Sequence, residues 1–172
     1  MRSSLQTKLA VFVIIGTVLT SAYFIYYWYQ SQQYAEQMMP LYRSLELLGR
    51  DADRMAAEEQ GPEKLLPEVE RIAKSAEELK VRCREVPPAN NRSAKVNDTF
   101  IETADKLLVW NQANKALLQA KSQYLSEKKL HSPKITDTQK LVEEKQTQSA
   151  AAGDEYRKVM KTQLSRILGV TR

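Results

Sequence analysis

Two side chains with intrinsic reactivity occur once each in this sequence, Cys83 and His131. A thiol attacks as its thiolate, and Arg82 and Arg84 on either side of Cys83 would favour that form wherever they approached the sulfur. Neighbouring residues of a helix face different directions, however, and Cys83 continues an apolar period that begins at Leu65, so the position reads as a small core residue. A lone cysteine forms no internal disulfide, and no C-x-x-C pair offers a metal or haem site. His131 falls in His-Ser-Pro-Lys, the composition of a turn. That placement leaves no partner for a His-dependent triad and none of the Glu-x-x-His pairs of a di-iron bundle. No catalytic residue, cofactor or metal site is therefore expected.

The next candidates are polar residues at or beside inward-looking helical positions: Thr103, Asn114 and Lys145. Single polar layers in a helical core fix register and partner number at some cost in stability. The alternative use is a ligand pocket built with Trp110 and with Arg82 or Arg84. Ala150-Ala151-Ala152-Gly153 marks a close helix approach or a soft point in a helix. Asn91-Arg92-Ser93 and Asn97-Asp98-Thr99 match the N-glycosylation triplet, which has meaning only in a eukaryotic secretory pathway.

The elements that must position these residues are helices. Of 172 residues, 42% are apolar and only 5 are Gly and 6 Pro, with the remainder rich in good helix formers. The expected fold is all-α: an N-terminal transmembrane helix, then an up-down antiparallel four-helix bundle with coiled-coil-like heptads. Helices are expected at about 30–60, 62–86, 93–128 and 136–168. Tyr34, Met38, Leu41, Leu45, Leu48, Ala52 and Met55 form one seam, and Leu65, Val69, Ile72, Ala76, Leu79 and Cys83 a second. Such a seam does not reveal whose helix fills it, so Leu41, Leu45, Leu48, Leu65, Val69, Ile72 and Leu79 are either core or partner surface. Pro40 is expected to kink or break the first helix. Gly61-Pro62, Val86-Pro87-Pro88 and His131-Ser132-Pro133 punctuate the chain. Asn90 to Ser93 offers capping groups for the third helix, and Thr136 or Asp137 for the fourth.

Residues 9–29 place the whole. No charge occurs between Lys8 and Glu36, and about 20 apolar residues suffice to cross a hydrocarbon core of roughly 30 Å. Tyr23, Tyr26, Tyr27, Trp28 and Tyr29 crowd one end, as in the aromatic belt of a membrane interface. They also prolong the run beyond Thr20-Ser21-Ala22, which favours an uncleaved anchor over a cleaved signal. Arg2, Lys8 and the α-amino group precede the span. By the positive-inside rule residues 1–8 are cytoplasmic and residues 30–172 extracytoplasmic. A descending fourth helix would return Arg157, Lys158, Lys161, Arg166 and Arg172 toward lipid headgroups. The formal charge of +5 is dispersed among acids, which does not point to nucleic acid.

This layout resembles the sensing half of bacterial chemoreceptors and histidine kinases, without a second span, and is similar to that of the LemA family, without the Tyr-Asn and basic-Asp-Leu-Ile-Pro motifs. The sequence thus points to a non-enzymatic, single-pass protein whose partners are the membrane and other proteins, a second copy included. A sensor with a small-molecule ligand is the alternative.

Overall fold

The computed structural model describes the backbone of residues 2–57 and 61–170 and the side chains of residues 12–57 and 61–163. The described residues form four helices and no strand: α1 (Arg2–Ala57), α2 (Leu66–Glu85) entered through a 3-10 turn at Pro62–Leu65, α3 (Asn91–Lys129) and α4 (Ile135–Val170). Local chemistry accounts for the boundaries. Gly61 takes φ 73°, a left-handed conformation that only glycine adopts cheaply, and Pro62 restarts the chain. Asn90 caps α3: its Oδ1 accepts from the backbone N–H groups of Arg92 and Ser93 at 2.8 and 2.9 Å. The Ser93 hydroxyl in turn accepts from the Asn90 N–H at 2.8 Å. At α4, Ser132 rather than Thr136 or Asp137 supplies the local acceptor, taking the Lys134 N–H at 3.3 Å. Thr136 and Asp137 lie already inside the first turn, which begins at Ile135.

Pro40 does not interrupt the first helix. α1 runs unbroken through it from Arg2 to Ala57. The carbonyl that Pro40 cannot satisfy belongs to Glu36, and both residues are exposed. Water can therefore take the place of the missing N–H, and the ring meets no neighbouring helix.

Side-chain bonds between helices give the directions. Tyr34 in the middle of α1 donates to the Ser93 carbonyl and to Asn97 Oδ1, near the start of α3. Asn114 and Lys121, further along α3, donate to the Ala52 and Ala56 carbonyls near the end of α1. These two helices therefore run parallel. Asn97 Nδ2 donates to Val86 just past the end of α2, and Asn111 Nδ2 to Val69 near its start, so α2 opposes α3. Ser149 meets Asn114 and Gln163 meets Val96, which makes α4 antiparallel to α3 as well.

Both seams close within this one chain. Leu41, Leu45, Leu48, Val69, Ile72 and Leu79 are buried in one continuous apolar core with Phe100, Leu107 and Trp110, and Leu65 is packed against it partly covered. Of the alternatives left open by the heptads, these residues take the core role. Cys83 lies in the same core with none of its surface exposed.

Candidate functional site

The residues that stand apart are those of the first half of α1. From Phe12 to Tyr29 every side chain is exposed, although α1 is the one helix among the described residues that is long and apolar enough to cross a membrane. Tyr23, Tyr26, Tyr27, Trp28 and Tyr29 keep 41–64% of their surface. Their polar ends are locally engaged: Gln30 Nε2 donates to the Tyr26 hydroxyl at 2.8 Å and Gln33 Nε2 to that of Tyr29 at 2.6 Å. Each pair is one turn apart on the same face. Tyr23 stacks on Tyr27 with ring centres 6.4 Å apart. An apolar cylinder with an aromatic, amide-tipped rim thus leads directly into a buried stripe that begins at Ser31 and Tyr34.

Above that stripe, α4 is locked to α1 and α3 by close approach. Tyr156 lies over Gly49, where an added Cβ would come within 2.6 Å of the ring, and Trp110 lies over Gly153, where it would come within 2.9 Å. The two rings pack with centroids 5.4 Å apart. The Tyr156 hydroxyl donates to the Leu45 carbonyl at 2.9 Å. Burial holds its pKa well above the usual phenol range, with Tyr42, Glu46 and Asp53 adding to the effect. Arg157 covers the outer side, 5.5 Å from the Trp110 ring and paired with Asp53 and Asp154 at 2.8 Å. Trp110 is left 2% exposed, which closes the ring to a ligand. Gly153 is accordingly a close-approach position, in the middle of an uninterrupted α4.

The other candidates separate cleanly. Thr103 and Asn114 are buried. Thr103 donates to the Thr99 carbonyl within its own helix, and Asn114 joins three helices by donating to Ala52 and accepting from Ser149. Lys145 lies beside the packed face of α4, partly covered, with its ammonium donating to Glu144 and Gln148, so the stem is sheltered while the charge keeps polar partners. Arg82 and Arg84 are exposed and sit by Cys83, which contacts the Asn97 carbonyl. Asn97 lies 13 residues before Trp110 on α3, about 20 Å along the helix. The arginines and Trp110 therefore do not share a site. The Cys83 thiol is pushed up to about 11, chiefly by burial and against the opposing pull of Arg84, so the flanking charges do not make it a nucleophile at neutral pH.

Comparison with known protein families, characterised proteins and solved structures finds no match to this chain.

Among the cations proposed for lipid contact, Arg157 faces Asp53, one turn from the end of α1 and far along it from Tyr29. Lys158 and Lys161 are exposed further along α4, Lys161 near Tyr42 and Glu46, while the side chain of Arg166 lies outside the described residues. Asn97 is engaged at both ends of its amide, by Tyr34 and Val86; Asn91 is exposed. Sequence reasoning missed Gly49, Asn111 and Gln163. Gly49 was readable as a lone glycine within a seam. The two amides were not, since a glutamine or asparagine at a helical position gives no sign of a carbonyl awaiting it on another helix.

Proposed function

We propose that this protein is a single-pass, membrane-anchored helical bundle that acts without catalysis, as a scaffold or interaction component of a membrane or envelope complex. The observation that carries the reading is the division of α1. Residues 12–29 are apolar and wholly exposed, whereas residues 34–55 of the same unbroken helix form the central stripe of the core. In water an uncovered apolar surface of that size is an aggregation hazard; in a bilayer it is satisfied. The aromatic rim at residues 23–29 suits the interface on the side of the body. The orientation is N-terminus in the cytoplasm and body outside, from Arg2 and Lys8 before the span and Glu36 as the first charge after it. Because the seams fill one another, a protein partner, whether a second copy or a different chain, is met through the outer surface.

The test is fractionation and protease protection of the full chain in membranes. The chain is expected to stay in the pellet through alkaline carbonate, and the body to be digested from the extracytoplasmic side alone. Release by carbonate would end the anchor reading, and digestion from the cytoplasmic side alone would reverse the topology.

A further inference from the structure

α4 rests mainly on α3, and along its other flank it leaves a groove against the body half of α1. The groove holds about 270 Å³, at the small end of ligand-sized clefts of roughly 300–1,000 Å³. Its apolar lining is Tyr42 from α1 with Tyr156 and Met160 from α4, each at least nine-tenths buried. Gly49 lets the Tyr156 ring lie across α1 at this point, since a Cβ there would collide with it. Tyr42 stands about 20 Å along α1 from Tyr29, clear of the aromatic rim.

The polar groups around this groove engage one another, with two exceptions. Glu46 pairs with Arg50 at 2.7 Å and Asp53 with Arg157 at 2.8 Å. Lys161 is exposed, and among the described residues it is the one lining charge without a partner. The second exception is the Tyr42 hydroxyl, which has no hydrogen bond among the described residues although its residue is only 6% exposed. Ser31, Asn111 and Gln163 also carry polar atoms without partners, but those atoms are sealed from solvent; the Tyr42 oxygen is not sealed, and it opens on the groove. Burial, with Glu46 adding to it, holds this phenol above its ordinary range, so at neutral pH it is a donor. The Tyr156 hydroxyl is already committed to the Leu45 carbonyl.

A buried hydroxyl donor and an unpaired ammonium beside an aromatic and thioether surface select a molecule with one negative charge at one end and an apolar remainder. We infer that the α1–α4 groove binds a small apolar monocarboxylate, whose carboxylate accepts from Tyr42 and Lys161 while its body, a single ring or a branched chain, lies on Tyr156 and Met160. A dianion would turn its second charge toward Glu46 and Asp53, and a cation would meet Lys161 first. The site is not the Trp110 pocket considered from the sequence, because that ring is closed off. Nor does it depend on the membrane reading, since every residue in it belongs to the four-helix body.

The experiment is fluorine NMR of 4-fluorophenylacetate titrated with the full chain in a maltoside detergent, with detergent alone as the blank. Saturable line broadening is expected, and 4-fluorophenylacetamide, the neutral counterpart of the same shape, should bind roughly tenfold more weakly. Tyr42→Phe removes only a hydroxyl that no described residue uses, and should raise Kd about tenfold. Lys161→Gln, at an exposed position, should raise it about threefold, whereas Lys140→Gln, outside the groove, should leave it unchanged. No saturable binding up to about 10 mM would overturn the site. So would equal affinity for the amide, which would mark partition of the ring into apolar surface; this comparison decides even if a variant fails to fold. Unchanged affinity in both Tyr42→Phe and Lys161→Gln would place the carboxylate elsewhere and overturn the assignment to this groove. Affinity that improves steadily as the chain is diluted would show a second copy covering the groove, and would overturn the small-molecule occupant.

Discussion

The two halves of α1 both carry large apolar side chains and are treated oppositely by the rest of the chain. Residues 12–29 offer Val, Ile, Leu, Phe and Tyr to nothing within the protein; residues 34–55 offer Tyr, Met, Leu and Ala to three other helices. The difference lies in where charge falls: the first half has none, and the second carries it on one side. The first half is apolar on every face, so no one-sided packing can bury it, whereas Arg43, Arg50 and Arg54 divide the second half into a stripe and a solvated back. A helix that is greasy all round needs a greasy solvent, and a striped one needs partners.

The sharpest way to break this comparison is to truncate one leucine in each half. Leu45→Ala, at a position with no exposed surface, should cost the body about 2–5 kcal/mol. Leu19→Ala, 65% exposed, should leave the same transition unmoved. Equal losses in thermal melts of the detergent-solubilised chain would mean that the first half is part of the folded core.

Pro40 sharpens the contrast from inside the second half. Since the helix already passes through it and Glu36 faces solvent, Pro40→Ala should restore one hydrogen bond and stabilise the body, by up to about 3 kcal/mol. A lowered melting temperature would show that the proline holds a bend the body needs.

Next in size is the polar joint. Asn114→Ala should cost about 1–3 kcal/mol by leaving the Ser149 hydroxyl without its acceptor in a buried layer, measured by urea titration. A neutral result would mean that water replaces the amide.

The smallest effect is at Cys83. A folded-state value of about 11, against the ordinary 9, keeps the thiol protonated in the folded chain after it ionises in the unfolded one. Its contribution is therefore complete below pH 9 and is lost as pH rises through about 11. Alkylation by iodoacetamide at pH 8 without denaturant should accordingly be slow, and mass spectrometry would detect rapid modification if the thiol were accessible.

Helix limits and core stripes were readable because glycine and proline act on the backbone locally and apolar period reports one face. Gly61-Pro62 and Pro87-Pro88 end helices for reasons contained in those residues, and Leu65 to Cys83 shares a face whatever lies opposite. That the helix passes Pro40 without a break was not readable, because the missing bond can be made good only if residue 36 faces water, a property of the assembled helices. The aromatic rim was plain in composition, but its height relative to the α2–α3 connection appears only once Tyr34 has found Ser93 and Asn97.

The continuity of α1 through Pro40 makes the helix a lever. From Tyr29 to Ala57 it extends about 42 Å as unbroken helix. If its lower half tilts by about 10° as the bilayer thins or a neighbour presses on it, its upper end swings sideways by roughly 7 Å, by the same helical rise. A body on a flexible tether would lose such a tilt within a few residues; here it would arrive at the far end enlarged.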